Sequence, residues 1–349
     1  MESIKRLKNL DPARTSFEAR SEIEVRNLFK TNVSKMKHTT PIRILISLAC
    51  FLVGVSFVSA MPFSLDREAM IKFTPQWEGE RFPNGRPKVS DSIIERMKLV
   101  DIEAAWVVLK NEGYEYQFED GWKHVHPGET LCGRAMTAMY MPLRKDVNEV
   151  VDAQAAEDGH SGGQVTWPIS MLQQGDVYVA DVYNNQTDGG PIIGATLGTN
   201  IFSNSGNGVL FNGVARDLEQ LEKIEGFNGF VRGWNPSFYW ASMITGINVP
   251  VNVGGVTVMP GDVILGKRSG VIVIPAHLAE KVVKTSELIR LRDQFGFERI
   301  KAGTYTSGQI DARWSDAIEK DFSKWLEDHM DRLPVPKEQI QELLKERTW

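Results

Sequence analysis

The sequence predicts an α/β domain in which at least one layer of short β-strands is covered by helices. Three observations carry this expectation. Short Val- and Ile-rich runs alternate with stretches whose apolar residues recur every three or four positions. Glycine-rich turns, such as Gly254-Gly255 and Pro260-Gly261-Asp262, punctuate the strand-like runs. Residues 208–217, Gly-Val-Leu-Phe-Asn-Gly-Val-Ala-Arg-Asp, read as a buried strand that delivers an Arg-Asp pair to the next helix. Strand ends of open α/β layers are where ligands bind.

Residues 61–89, with Pro62, Pro75, Pro83 and Pro87, read as an irregular arm. Residues 90–112 read as one helix. Ile93, Ile94, Met97, Val100, Ala104, Val107 and Val108 share a face, and Ser90 or Asp91 can cap it. Residues 113–128 are rich in aromatic and charged side chains and suggest a hairpin or insertion. Residues 134–140 and 176–182 are strand-like. A Gly-rich loop beginning near Asp188 enters a helix near Gly194.

The strand of residues 209–211 is bounded by Gly208 and Gly213, and a helix over 217–224 follows. Further strands fall at 229–232, twice within 249–258, at 263–265 and at 270–275, before a helix over 276–291. From Trp314 the chain is helical and highly charged, broken at Pro334 and Pro336. This tail reads as a solvated amphipathic helix that packs on a neighbour.

The 349 residues suffice for one large or two small domains, and 42% hydrophobic content with nine Trp predicts a packed core. The N-terminus departs from that pattern. Residues 44–58 are uncharged and apolar, with Lys37 and Arg43 before them and Val58-Ser59-Ala60 at their end. This is the pattern of a signal peptide over residues 36–60. The run is shorter than the roughly 20 residues of a spanning helix. Residues 1–35 then read as an over-extended start or as a cytoplasmic extension on an uncleaved anchor. Export is the expectation, with no stable membrane span after cleavage.

Residues 1–60 carry ten Lys and Arg and five Asp and Glu, so cleavage after Ala60 leaves 30 basic and 40 acidic groups. Such an acidic chain is a poor nucleic-acid binder, because phosphate contacts need clustered cations. Of the two cysteines, Cys50 leaves with the signal, so no intrachain disulfide is expected. Cys132, between Leu131 and Gly133, reads as a buried inert thiol.

Arg216 and Asp217 form the candidate site. A guanidinium clamps a carboxylate with two parallel hydrogen bonds, and a carboxylate offers hard oxygens to a divalent cation. The pair fits a small metal-chelating acid such as pyruvate, or else is a structural ion pair and helix cap. Asp181 reads as an acid standing behind the site or as a loop cap. His160 has no partner at metal-ligand spacing, and Ser161 lacks a Gly-x-Ser-x-Gly elbow. The Trp-rich stretches 106–122 and 234–240 suggest core or subunit contacts, with aromatic platforms for sugars as the alternative.

Four segments share one resemblance. Gly175-Asp-Val-Tyr-Val-Ala-Asp181, Gly194-Ala195-Thr196-Leu197, residues 208–217, and Pro260-Gly-Asp followed by Gly270-Val-Ile-Val-Ile-Pro275 occur in the order and spacing of the RraA-like family. The match covers roughly residues 90–305. The family includes the regulator of ribonuclease activity A and class II 4-hydroxy-4-methyl-2-oxoglutarate aldolases. The resemblance implies an α/β protein with the β/β/α fold resembling the phosphohistidine swivelling domain. It also implies homotrimers or homohexamers with sites between subunits.

Carried over residue by residue, the resemblance puts Arg216 on the substrate's carboxylate and keto oxygens and Asp217 on Mg²⁺ or Mn²⁺. The amides of Gly194, Ala195, Thr196 and Leu197 then hold the pyruvyl carboxylate, as helix-start N–H groups suit. A metal with an Arg would stabilise an enolate, which implies a metal-dependent lyase: retro-aldol cleavage releasing pyruvate, or 2-oxo-acid decarboxylation. The partner expected is thus a small 2-oxo or hydroxy acid. Two features depart from the pattern. Ala195 stands where aldolases carry an acid, and Lys267-Arg268-Ser269 precedes Gly270 where acidic residues are usual. Glu287, Asp293 and Glu298 are candidates for the acid that the family draws from an adjoining subunit. A non-catalytic regulator or a sugar-acid-binding protein of the same fold is the alternative.

Overall fold

The computed structural model describes residues 64–183 and 190–346. The signal-peptide pattern at 36–60, residues 1–35 and the start of the Gly-rich loop at Asp188-Gly189 lie outside them.

Within the arm, α1 (Arg67–Phe73) is a short helix whose Asp66 cap accepts a hydrogen bond from the Ala69 N–H. The arm is therefore not wholly irregular. Arg86 pins it to the domain by bonding both oxygens of the buried Asp176, at 2.9 and 2.7 Å. The helix expected over 90–112 is two helices, α2 (Asp91–Met97) and α3 (Ile102–Asn111). Ser90 caps α2. Tight bonds from Leu99 N–H to Arg96 O and from Val100 N–H to Met97 O close α2, turning Val100 into the core.

Residues 113–128 do not form a hairpin. They hold β1 (Phe118–Glu119) and β2 (Lys123–His124), which pair with different strands. The chain then builds β3 (Leu131–Pro142), α4 (Lys145–Glu157), α5 (Trp167–Ser170), β4 (Asp176–Val182), α6 (Ala195–Ser205), β5 (Val209–Ala215), α7 (Leu218–Leu221) and β6 (Gly229–Trp234). Strands β3, β4, β5 and β6 run parallel in that order, with Tyr178 opposite Val209 and Val209 opposite Gly229. Strand β5 does not stop at Gly213; an irregularity between Phe211 and Val214 absorbs the glycine, and pairing resumes. Helix α7 is a single turn, shorter than the expected 217–224.

Four more strands precede β11 in the chain: β7 (Ser242–Ile247), β8 (Val251–Val253), β9 (Val256–Val258) and β10 (Val263–Lys267). Strand β7, which the sequence reading missed, pairs with the C-terminal half of β3, and β10 pairs with the N-terminal half. The hairpin β10–β11 (Gly270–Ile274) completes the order β1-β11-β10-β3-β4-β5-β6-β2.

This sheet curls onto itself. Its two edge strands, β1 and β2, are separated in sequence only by Asp120, Gly121 and Trp122. Four Cα–Cα steps reach at most about 15 Å. Eight strands laid flat at about 4.8 Å spacing would set the edges on the order of 30 Å apart. Arg232 of β6 clasps the seam: its Nη2 donates to Glu119 Oε1 at 2.6 Å, its Nη1 to Asp120 O at 2.8 Å, and its guanidinium lies 3.7 Å from the Trp122 ring centroid.

Period-two alternation sorts the strand side chains. Val177, Val179, Leu210, Phe230, Ile264, Val271 and Val273 form the interior with the β8–β9 hairpin. Tyr178, Ala180, Phe211 and Val231 face outward under α4, α5 and α6. Val263, Leu265, Ile272 and Ile274 face outward under α2, α3 and α8 (Ala279–Lys301). Helix α8 runs past the expected Leu291. Its far half joins α9 (Ser307–Ile310), α10 (Asp316–His329) and α11 (Lys337–Glu346) in a fourth core of Phe295, Trp314, Phe322 and Trp325. The tail thus buries its apolar face on its own chain. No helix of the described residues is long and apolar enough to cross a membrane.

Candidate functional site

Arg216 and Asp217 stand at the C-terminal end of β5, beside the start of α6. Asp217 adopts φ 62° and ψ 41°, left-handed backbone that Asp tolerates better than most residues. That turn carries its carboxylate back across the strand end. Oδ2 accepts the Ala195 backbone N–H at 3.0 Å and lies 3.6 Å from Arg216 Nε. The Arg216 N–H donates to Ile193 O at 3.1 Å, locking the strand end to the loop that enters α6. Its guanidinium is half exposed and donates from Nη1 to Ser237 O at 3.3 Å.

Gly194 is the N-cap of α6. A Cβ there would sit 2.3 Å from Asp217 Oδ2 and 2.8 Å from Arg216 Nε, so the close approach of the pair requires glycine. Ala195, Thr196 and Leu197 form the first turn, whose N–H groups have no carbonyl four residues back within the helix. Together with the helix dipole they favour an anion. Gly194, Thr196, Leu197, Arg216 and Asp217 line one cleft of about 280 Å³. Ala195 reaches the arrangement through its N–H.

The sequence reading did not foresee that Val165, Phe238 and Tyr239 also line this cleft. Tyr239 is held by a 3.3 Å bond from its hydroxyl to Gln164 Oε1, and burial pushes its ionisation well above the usual tyrosine range. The exposed Phe238 and Trp240 were the available signal, in the Trp-rich stretch 234–240.

Other candidates lie elsewhere. Asp181 follows the interior-facing alternation of β4 and accepts from Asn212 Nδ2 at 3.4 Å, while Arg232 Nε donates to Asn212 Oδ1 at 2.9 Å. Asp181 thus joins the polar chain through Asn212 to Arg232 at the seam between β1 and β2, and it is not among the residues that line the Arg216 cleft. Glu287 is buried and doubly bonded to Arg96 at 2.8 and 2.6 Å. Glu298 accepts the Trp325 indole N–H at 2.7 Å. Both are committed within the chain, which leaves Asp293 as the more available of the three acids. Lys267 Nζ donates to Lys98 O, so the basic turn is tied to the end of α2. His160 stacks on Trp167. The Cys132 thiol is buried and pushed up to about 12, which makes it inert at neutral pH.

Among the described residues no three His, Cys, Asp or Glu side chains gather as a metal cage. Asp217 Oδ1, however, carries no protein hydrogen bond among the described residues. Mg²⁺ keeps several waters and is commonly held by one or two carboxylates plus substrate oxygens. The donor set fits Mg²⁺ or Mn²⁺ in that manner.

A parallel βαβ core with an Arg-Asp pair facing a helix start defines an α/β protein whose cleft lies at its strand ends, the place where ligands bind in open α/β layers. The family model for RraA-like proteins (Aldolase/RraA) matches residues 87–273, and the chain belongs to that family. A Halalkalibacterium halodurans protein provisionally named 4-hydroxy-4-methyl-2-oxoglutarate aldolase is 32% identical over 166 residues, 46% of this chain and 75% of its own length. An uncharacterised Methanocaldococcus jannaschii protein is 32% identical over 96 residues, 28% of this chain and 46% of its own. The Legionella pneumophila protein DlpA is 25% identical over 202 residues, 56% of this chain and 29% of its own. The chain thus spans less than half of these last two relatives.

Two solved structures share the fold. An uncharacterised Pseudomonas syringae protein aligns with TM-score 0.53 at 20% identity, covering 67% of this chain and 99% of its own. Streptomyces coelicolor RraAS2, described as an unusual member of the RNase ES inhibitor RraA family, aligns with TM-score 0.52 at 24% identity, covering 62% and 100%.

Proposed function

We propose that this chain is a metal-dependent lyase acting on a small 2-oxo or hydroxy acid, by retro-aldol cleavage that releases pyruvate or by 2-oxo-acid decarboxylation. The observation that carries the reading is the convergence of Arg216, Asp217 and the first turn of α6 on one cleft. The N–H groups of Thr196 and Leu197 would hold the substrate carboxylate. Arg216 would clamp the carboxylate and keto oxygens, orienting the scissile bond. Asp217 Oδ1, and water, would hold Mg²⁺ or Mn²⁺. A bound divalent cation supplies positive charge to the keto oxygen as negative charge accumulates there. Val165, Phe238 and Tyr239, which share the lining, would help exclude water.

Ala195 favours a second reading. It brings no acid to the cleft, which fits a regulator or a sugar-acid-binding protein on the same scaffold. Pyruvate release from 4-hydroxy-2-oxo acids, measured with Mg²⁺, with Mn²⁺ and with chelator, separates the two. Metal-dependent release supports the lyase; tight binding of such acids without turnover supports the binding protein. The proposal extends to a homotrimer or homohexamer and to export through residues 36–60.

A further inference from the structure

A second cleft, of about 240 Å³, shares no lining residue with the Arg216 cleft. It opens between the arm, the β9–β10 turn and the segment joining β11 to α8. Trp77, Tyr114, Gln117, Met259, Asp262 and His277 line it. Trp77 and His277 lie outside the family-matched region, and the arm that brings Trp77 is held in place by the Arg86–Asp176 pair. The cleft thus combines Tyr114, Gln117, Met259 and Asp262 of the family-matched region with Trp77 and His277 from the segments flanking it.

Its polar groups are short of donors and of positive charge. Asp262 is 7% exposed; its Oδ2 accepts the Met259 N–H at 2.9 Å and its carboxylate also draws on the Ala276 N–H, both of them neutral donors. Among the described residues no Lys, Arg or His forms an ion pair with it. Gln117 Oε1 is buried with no donor among the described residues. The Tyr114 hydroxyl stands 3.3 Å from both His277 Nε2 and Gln76 Oε1. Buried carboxylates call for a countercharge, and buried acceptors for a donor. A carboxylate ligand would add repulsion. A sugar hydroxyl would satisfy Gln117 and leave Asp262 without a countercharge. An ammonium answers both and gains attraction from aromatic faces.

We propose that this cleft binds a small primary organic ammonium, its N–H groups donating to Asp262 and Gln117 Oε1 and its aliphatic part resting on Trp77 and Met259. Burial pushes the Asp262 carboxyl up to about 7, against which two backbone N–H groups act more weakly. A bound cation favours its ionised form, so affinity rises as pH passes through that value. The titratable neighbours are Tyr114, His277 and Glu112. Burial pushes Tyr114 up, with Asp262 and Glu112 adding to it. Burial pushes His277 down, so it stays neutral above pH 7.

The test titrates the full chain by calorimetry with n-hexylamine, hexan-1-ol, hexanoate and glucose. The amine is expected to bind at pH 8 at least about tenfold tighter than the alcohol, and to lose roughly tenfold between pH 8 and pH 6, following Asp262 ionisation. Asp262→Asn, which keeps an acceptor for Met259, should bring the amine down to the alcohol. Gln117→Leu should weaken the amine with circular dichroism unchanged. If Asp262→Asn does not fold, the pH series and Gln117→Leu decide. Equal binding of amine and alcohol, preference for glucose, or no amine binding would each overturn the proposal.

Discussion

The carboxylate of Asp217 holds the backbone N–H of Ala195 at 3.0 Å, so the last residue of the Arg-Asp pair caps the helix that faces it. One oxygen fixes α6 and the other remains open. The cap takes the first N–H of the turn and leaves those of Thr196 and Leu197 for the carboxylate of the proposed substrate.

Gly194→Ala tests that closeness. Its Cβ would fall within 3 Å of Asp217 Oδ2 and Arg216 Nε, both on flexible side chains. The expected result is a folded protein, with thermal midpoint within a few degrees of wild type, whose turnover or acid binding falls on the order of 10²-fold as the pair is displaced. A variant with unchanged turnover would show that the pair's placement is immaterial.

Arg216→Lys should be nearly as damaging as Arg216→Ala, with turnover falling on the order of 10²–10³-fold, because an ammonium lacks the planar two-donor fork. Asp217→Asn keeps the left-handed turn and an acceptor for Ala195. Its loss of activity should therefore appear as weaker metal affinity, partly restored at high Mg²⁺ or Mn²⁺. Metal titrations of activity on both variants distinguish the two roles.

Asp262 sets a pH window for stability. Its proton leaves near pH 7 in the fold and near 3.8 in the unfolded chain. Between these values the folded state binds more protons, so this group's contribution to stability falls as pH rises from about 4 to 7 and is level above. The full cost is at most about 4 kcal/mol. Denaturant unfolding of Asp262→Asn should lack this slope; an unaltered slope would assign it to other groups.

Trp325 is 1% exposed, stacks on Phe322 and donates to Glu298. Trp325→Ala should cost about 3–5 kcal/mol. Thermal unfolding should register the loss, and limited proteolysis should release the segment after residue 305. A tail that packs only on a neighbour would show a loss that depends on protein concentration.

Export makes a direct expectation. N-terminal sequencing of protein from the native host should begin at or near Met61. Intact Met1 in a soluble cytoplasmic fraction would refute it.

The parallel core was legible because its signals are local. Asp176–Val182 alternates, Gly194 opens a helix, and Arg216-Asp217 follows a run that only a buried strand explains. What escaped depends on distant partners. Phe118 and Lys123 carry no strand signal of their own, because two-residue strands are specified by the edges they join. The split at Val100 escaped because the apolar period continues across it. The tail reads as amphipathic, but the partner of its apolar stripe of Ile318, Phe322 and Trp325 is Phe295 of the same chain, which no local pattern announces. Tyr239 reached the cleft through a loop, where side-chain periodicity carries no message.

The seam clasped by Arg232 and Glu119 also orders events in time. Strands β3 to β6 adjoin neighbours in sequence and can assemble early, whereas Phe118 must wait for Ile272, which lies far along the chain. Closing so large a loop is entropically costly and slow. Until then β11 leaves an unpaired edge, a kind of surface through which nascent chains aggregate. The short segment from Phe118 to His124 thus works as the latch of a late folding step, and a fault in it would shorten the life of the protein during synthesis more than it would alter the finished cleft.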